Sequence, residues 1–593
     1  MIRTRHLYAL FALLMAIAPW VFSESLITIS NYAGLFCMVS IGLVLLTGIG
    51  GMTSFGQAAF VGVGAYTSAY LSTVSQWSPW LTLCVGVAIA VFIALLLGAL
   101  TLKLAGHYLP LSTIAWGLSL YYLAGNLQFL GGHSGISGVP SLVLFNIHID
   151  SGRNFTYFVW ISVGIAVWLS SNLLSSREGR AIRCLKGGRT MASAMGVNVP
   201  LVKLKVFVLS AVLAAVSGWM YVHFQRFVNP TPFGLNYGIE YLFMTVLGGA
   251  GFLPGAILGS GIITALRELL IDYLPSLIGQ SGNYETIVLA VLIIFILHRA
   301  PEGLWPRLLK ALKVQEHPDF SSVKASEQPS LERKNSNRAK GELLLELSRV
   351  GKRFGGLSAV NEVSFCVRSG EILGLIGPNG AGKSTTFNLV SGVDFASSGK
   401  VTFLGHDITQ CESHQVAALG MSRTFQHVQL LPQLTVLENV AIGAYLRCDA
   451  GYLKSMLHLE RTQEGQIIGE AMRMLERVGL QKYAYTLAGN LSLGDQRILE
   501  IARALCADPV LLLLDEPAAG LRLKEKQELA NLLSQLRDEG LGVLLVEHDM
   551  DFVMGLVDRI VVMEFGEKIA EGLPHDIQNN PAVLDAYLGS AQA

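Results

Sequence analysis

The sequence predicts two structural classes in one chain. An N-terminal all-α domain crosses a membrane about eight to ten times, and an α/β P-loop nucleotide-binding domain follows it. Three observations carry this prediction. The chain has 593 residues, more than one compact core organises. Hydrophobic residues make up 52% of it and charged residues 15%, with mean hydropathy +0.49, which is more apolar than a soluble protein averages. The composition also shifts along the chain: apolar runs follow one another from Leu7 to Leu297, and charged residues become frequent from Gly341 onward. The expected divisions are residues 1–300 for the membrane domain, 301–341 for a cytosolic linker and 342–593 for the nucleotide-binding domain. Within the linker, residues 314–341 are polar, Ser-rich and aperiodic, which predicts a flexible segment.

Lys plus Arg balances Asp plus Glu at 43 each, so no basic excess points to nucleic acid. The seven cysteines, Cys37, Cys84, Cys184, Cys366, Cys411, Cys448 and Cys506, have no close pairs. That fits neither a disulfide framework nor a metal site, and all seven read as reduced.

Ten apolar runs are candidate spans, at 7–22, 27–47, 52–74, 80–103, 109–130, 156–174, 205–224, 239–249, 255–274 and 284–298. The first follows Arg3 and Arg5 without a convincing cleavage site, so it reads as a signal anchor. The run at 52–74 is rich in Gly and Ala, and 239–249 is short enough to be re-entrant or broken. An even count from a cytoplasmic N-terminus returns the chain to the cytoplasm at Arg299, ahead of the second domain.

The 175–205 loop sets the orientation independently. It carries Arg177, Arg180, Arg183, Lys186, Arg189, Lys203 and Lys205 against the single acid Glu178. Burying these in lipid at about 2.5–3.5 kcal/mol apiece would cost roughly 20 kcal/mol, so the loop is extramembranous and, by the positive-inside rule, cytoplasmic. Its pattern, SSREGRAIRCLKGGRTMASAMGV, suits a short amphipathic helix and predicts a docking element for the second domain. The glycine-rich runs LTGIGGMTSFGQAAFVGVGAYTSAYL and VLGGAGFLPGAILGSG, with Gly255 and Gly259 at small-xxx-small spacing, predict close helix packing. GGHSGISGVP, residues 131–140, falls on the outer side and is a weaker candidate for lining a path. Few ionisable residues fall inside the runs, which suits a neutral, zwitterionic or apolar solute rather than a proton relay.

In the second half, ILGLIGPNGAGKSTTFNLV places G-x-x-x-x-G-K-S between a strand-like and a helix-like run. Gly377, Pro378, Asn379, Gly380, Ala381, Gly382, Lys383, Ser384 and Thr385 form the candidate nucleotide loop. Its glycines let backbone N–H groups close around phosphates, Lys383 reaches the β- and γ-phosphates, and the Ser384 hydroxyl binds Mg²⁺. The run PVLLLLDEPAAG ends a strand in Asp515, placed to hold Mg²⁺, beside Glu516, placed to activate water. His548 in VLLVEHDM follows another apolar strand and is placed to contact the γ-phosphate.

These motifs resemble an ABC transporter ATPase. The resemblance implies an ABC-type fold that binds ATP with Mg²⁺. It further implies that Phe354 stacks on adenine and that Gln426 in RTFQ senses Mg²⁺. Ser492 and Gly494 in LSLGDQR would close over a partner domain's ATP, and His548 would be the switch histidine. Mg²⁺ would be held through the nucleotide by Ser384, Gln426 and Asp515. Two positions depart from the pattern: Asp495 stands where Gln is frequent, and Arg522 where Asp or Asn is.

RTFQHVQLLPQLTVLENV, DEPAAG and FGEKIAEG resemble the ATPase of branched-chain amino-acid importers in particular. GGMTSFGQAAFVGVGAY, REGRAIR, AMGVNV and VLGGAGFLPGAILGS resemble the membrane subunit of the same systems. The resemblance implies a natural fusion of two usually separate subunits in a bacterial-type inner membrane, with the ATPase cytoplasmic. The implied partners are a second permease and ATPase, either another copy or different chains, an extracytoplasmic binding protein, and a small solute. Related importers carry urea, amides, and aromatic or other carboxylic acids. Readings of another class are an ABC exporter, expected to have fewer and longer spans, and an ATP-gated channel.

Overall fold

A computed structural model describes residues 4–102, 108–144, 146–278, 284–312, 329–332, 339–449 and 451–589. The chain divides into two compact units. The first comprises Met1–Ser175, Pro200–Asp319 and Met456–His458, and the second comprises Ser176–Val199, Phe320–Ser455 and Leu459–Ala593.

Each of the ten apolar runs falls on a helix of the first unit. These are α1 (Thr4–Val21), α2 (Glu24–Leu43), α3 (Gln57–Thr73), α4 (Pro79–Thr101), α5 (Tyr108–Asn126) and α6 (Gly152–Leu174). After α7 (Arg177–Cys184) and α8 (Arg189–Ala194) come α9 (Val199–Gln225), α10 (Leu235–Gly248), α11 (Leu253–Ile278) and α12 (Tyr284–Arg299). The expected eight to ten spans are not reached when length and hydropathy are applied strictly. Among the described residues five helices qualify alone: Glu24–Ile49, Pro79–Thr101, Gly152–Leu174, Val199–Gln225 and Leu253–Pro275. A sixth is added if Glu285–Arg299 and Leu304–Leu312, bent by 50°, count as one span. The shortfall has a physical reason. With 18, 17, 19, 14 and 16 residues, α1, α3, α5, α10 and α12 are shorter than the roughly 20 that cross a bilayer. Burial does not follow length: α2 is buried along nearly all its length and most of α3 is buried, whereas most of α4 is not.

The glycines explain how such helices pack. At its end α2 widens into a π turn, Val44–Ile49, the chain breaks, and α3 begins only at Gln57. Gly48 touches the backbone there: a Cβ on it would stand 1.6 Å from the Ala250 carbonyl oxygen. Likewise Gly259 of α11 lies against α10, where a Cβ would meet the Met244 oxygen at 1.8 Å. Gly259→Ala should therefore force α10 and α11 apart. Overpacking typically costs about 1–3 kcal/mol, enough to outweigh the roughly 1 kcal/mol that Ala gains over Gly inside a helix. Gly261, with nothing within 4 Å of its added Cβ, is the control. Thermal unfolding should show a lowered midpoint for Gly259→Ala and an unchanged or slightly raised one for Gly261→Ala.

A charge pair joins two helices of this unit. Arg267 of α11 lies 3.2 Å from Glu240 of α10, which offsets the cost of placing either among apolar helices. The predicted outer segment 131–140 packs on the helices: strand β1 (Ile136–Ser137) is followed by the hairpin β2 (Leu142–Leu144) and β3 (Ile147–Ile149), and β1 pairs with β4 (Phe227–Val228). The Pro140 carbonyl accepts from His223 Nδ1 at 2.8 Å.

The expected linker is partly structured. Residues 304–312 form α13 (Leu304–Leu312), where Trp305 and Leu309 are buried against Phe252. Most of 314–341 lies outside the described residues. Leu331 is buried in the second unit, and Arg447 donates to the carbonyls of Leu331 and Glu332.

The second unit holds two sheets. An antiparallel one has the order β6 (Leu357–Arg368), β5 (Leu343–Phe354), β8 (Ser398–Phe403), β9 (His406–Asp407). The other runs β10 (Met421–Arg423), β11 (Leu511–Asp515), β12 (Gly542–Val546), β7 (Ile372–Ile376), β13 (Arg559–Glu564), β14 (Glu567–Gly572), parallel except for the last pair. Every residue of β7, β11 and β12 is buried: one face packs on the antiparallel strands and on Phe387 and Leu389, the other on Ile501, Leu529 and Leu533, and the sequence accordingly reads as continuous apolar runs. Helices of this half include α14 (Lys383–Val390), α15 (Ser413–Ala418), α16 (Val436–Gly443), α17 (Tyr452–Met456), α18 (Arg461–Arg477), α19 (Leu493–Cys506) and α20 (Leu523–Asp538).

Candidate functional site

Three adjacent strands deliver the candidate residues. β11, β12 and β7 are parallel neighbours, so their C-terminal ends open on one edge of the sheet, where α/β proteins collect ligands. β7 leads into the Gly377–Gly382 loop and α14, β11 ends in Asp515 ahead of Glu516, and β12 is followed by Glu547 and His548.

The loop needs its glycines. Gly377 has φ 153° and Gly382 φ 94°, and added Cβ atoms would stand 2.1 Å from the Met563 oxygen and 2.5 Å from the Ala359 oxygen. Lys383 is buried, and its ammonium donates to the carbonyls of Gly377 at 2.6 Å and Pro378 at 2.9 Å. Burial lowers its pKa, while Glu516 and Asp515 act in the opposite direction. A cation held by two neutral carbonyls in a ring of backbone is a fitting cradle for an anionic phosphate. Ser384 and Thr385 occupy the first turn of α14, with Ser384 exposed.

Glu516 is the hub of the second group. Its Oε1 lies 2.9 Å from His548 Nε2 and accepts from Gln426 Nε2 at 3.1 Å. Beside it Asp515 is buried, which raises its pKa, and Arg423, 3.7 Å away, leads the opposing influences. A hydroxyl at Ser384, a carboxylate at Asp515 and an amide at Gln426 offer hard oxygen donors of the kind Mg²⁺ prefers. The described contacts of the remaining candidates lie elsewhere. Phe354 is half exposed with the Lys352 ammonium 4.8 Å above its ring, Ser492 Oγ donates to Asp495 Oδ2 at 2.8 Å, and Gly494 lies against Leu521 and Glu525.

Both departures from the motif have local explanations. Asp495 sits in the first turn of α19, where a carboxylate complements the helix dipole, and its N–H donates to Ser492 Oγ. Arg522 precedes α20 and has no side-chain acceptor to cap it. Glu525 caps from the other side by accepting the Arg522 N–H at 2.8 Å.

Several residues went unnoticed in the sequence. Arg423 donates to Asn388 and Ser391, both at 2.7 Å, tying β10 to the region of α14. Glu547 accepts from the N–H groups of Ala518 and His548. On α19, Arg497 donates to the carbonyls of Glu516 and Gln426, while Glu500 and Arg503 hold Gln429 at its N–H and C=O. Arg423 and Arg497 lie inside RTFQ and LSLGDQR, so the only available signal was adjacency to named motif residues.

The same unit contains the basic segment Ser176–Val199. Ser176 caps α7 by accepting the Gly179 N–H. From α7, Arg177 donates to the Tyr445 carbonyl at 3.1 Å and stacks 4.5 Å from its ring, and Arg180 makes two hydrogen bonds to Glu464 of α18, one at 3.1 Å. Gly196 lies against Leu446, Gly187 against Leu431, and Asn198 Nδ2 is 3.3 Å from His414 Nε2 of α15. Lys203 and Lys205 belong to the first turns of α9 rather than to the loop.

Comparison with known proteins gives matches to both halves. The family described as "Branched-chain amino acid transport system / permease component" matches residues 25–297. "ABC transporter" matches 360–519, and "Branched-chain amino acid ATP-binding cassette transporter" matches 567–593. The high-affinity branched-chain amino acid transport ATP-binding protein LivG of Salmonella typhimurium is 44% identical over 251 residues, 42% of this chain and 98% of that protein. BraF of Pseudomonas aeruginosa, of the same description, is 41% identical over the same share of this chain. A solved ATP-binding cassette of an ABC transporter in its ADP conformation is 34% identical, with 42% of this chain and 99% of that one covered and a TM-score of 0.38.

Proposed function

The chain belongs to the branched-chain amino-acid ABC transporter family, with permease and ATPase in one polypeptide, and we propose that it imports branched-chain amino acids or a related small solute at the expense of ATP. The observation that carries this reading is the placement of Ser176–Val199. Chain continuity ties this segment to α6 and α9, yet it is packed into the ATPase unit through Arg177, Arg180, Gly187 and Gly196. It is the element through which closure of the motor would pull on the permease.

In this reading the loop from Gly377 to Thr385 holds the phosphates, Lys383 neutralises them, and Phe354 covers the adenine. Bound ATP with Mg²⁺ supplies the phosphoanhydride whose cleavage drives the cycle. Glu516 takes the proton of the attacking water while Gln426 and His548 hold its carboxylate in place. Ser384, Asp515 and Gln426 are the groups for the cation. Ser492 and Gly494, whose contacts lie on α19 and α20, face a partner's nucleotide instead.

The proposed assembly adds a second permease and ATPase, from another copy or from different chains, and an extracytoplasmic binding protein. It sits in a bacterial-type inner membrane with residues 342–593 cytoplasmic. Proteoliposomes holding the assembly, the cognate binding protein and internal ATP should accumulate labelled leucine, isoleucine or valine against a gradient. ATP turnover without accumulation of any solute would overturn import. Uptake of urea, amides or aromatic acids in place of the three would reassign the substrate.

A further inference from the structure

Glu516 is held in an unusual backbone state. Its φ is 49°, in the left-handed region that a non-glycine residue occupies only when its surroundings impose it. Its N–H donates to the Val546 carbonyl at 2.8 Å, which fixes one side of the peptide. The other side is fixed by Arg497, whose Nη1 donates to the Glu516 carbonyl at 2.6 Å, and whose Nη2 donates to the Gln426 carbonyl at 3.4 Å. One guanidinium thus joins the backbones of two residues whose side chains already meet at 3.1 Å.

Arg497 belongs to α19, which starts at the Ser492 cap. The same helix grips the Gln426 segment again within the next two turns. Glu500 Oε1 accepts the Gln429 N–H at 2.8 Å, and Arg503 Nη1 donates to the Gln429 carbonyl at 2.7 Å, with Glu500 and Arg503 themselves 3.0 Å apart and buried. The helix whose N-terminus carries the signature segment is therefore fastened to the glutamate and glutamine of its own domain's nucleotide site.

We propose that Arg497 is a positioning residue: it holds the strained backbone of Glu516 and the Gln426 segment to α19, so that displacement of the signature end at one ATP site shifts the water-activating carboxylate at the other. The inference rests on the ATPase reading above. A guanidinium is suited to this because its rigid planar fork holds two acceptors at a fixed spacing, whereas an ammonium is a point charge on a flexible stem.

The test uses the full chain in lipid nanodiscs with the Arg497→Ala, Arg497→Lys and Arg497→Gln variants. It measures ATPase kcat and KM, the affinity for a non-hydrolysable ATP analogue, and the thermal unfolding midpoint. Arg497→Ala should lose about tenfold or more in kcat with analogue affinity within about twofold of the unmodified protein, the signature of an interaction needed for turnover rather than binding. Arg497→Lys should recover part of the loss, and Arg497→Gln less. If Arg497→Ala unfolds early, Arg497→Lys decides, and its kcat must still fall with affinity kept. Turnover at the unmodified rate in Arg497→Ala, or analogue binding and unfolding midpoint lost together in all three variants, overturns the assignment. Failure of the ATPase reading looks different, because the unmodified and Glu516→Gln proteins would then be equally inactive.

Discussion

Replacing Glu516 by glutamine should reduce ATP turnover by about 10²–10⁴-fold, the contribution expected of a positioned general base, while leaving nucleotide affinity nearly unchanged. The substitution preserves shape and keeps an oxygen available to Gln426 and His548, which lie 3.1 and 2.9 Å from the carboxylate. What it removes is the negative charge and the capacity to take a proton. In the proposed reading binding belongs to other atoms: the loop glycines, the Lys383 ammonium 2.6 Å from the Gly377 carbonyl, and the hydroxyl and carboxylate of Ser384 and Asp515. Lys383→Ala should accordingly lose analogue binding and turnover together. Steady-state turnover and equilibrium binding on the same preparations separate the two variants. Normal turnover in Glu516→Gln would remove the assignment of the base.

The contrast between these residues shows what the sequence can reveal. The candidate nucleotide loop was legible because its pattern is local: the glycines, lysine and serine are consecutive, and the strand and helix flanking them leave period and composition signals. Asp515 and His548 were legible because each follows an apolar strand, although nothing in the chain states that β11, β12 and β7 lie side by side. Arg497 and Arg503 were opaque, since their partners Glu516 and Gln429 lie 19 and 74 residues away. In the membrane half all ten apolar runs became helices, but apolarity did not fix their lengths. The break after the π turn at Ile49 and the end of the 14-residue α10 lie where Gly48 meets Ala250. The stretch LWPRLLKAL falls within the expected linker, yet it forms a helix whose Trp305 and Leu309, four residues apart, are buried.

Arg180 carries the second large prediction. Its side chain is 4% exposed and that of Glu464 is 18%, so the pair is shielded from water. Removing one member of such a pair typically costs about 3–5 kcal/mol, because the other charge stays buried without compensation. Arg180→Glu goes further and sets two carboxylates against each other, which should lift α7 from α18 while Arg177 keeps its hold on Tyr445. None of the nucleotide-site hydrogen bonds involves this pair, so ATP turnover should survive while solute uptake is nearly abolished. The reversed pair, Arg180→Glu with Glu464→Arg, should regain uptake, since opposite charges again face each other and the coupling of neighbouring sites is not additive. Uptake per ATP hydrolysed, measured in proteoliposomes for both single variants and the double, is the deciding quantity. If turnover falls in step with uptake in Arg180→Glu, the pair supports the ATPase itself. If the double variant stays uncoupled, force passes through Arg177 and the Gly187 and Gly196 contacts instead.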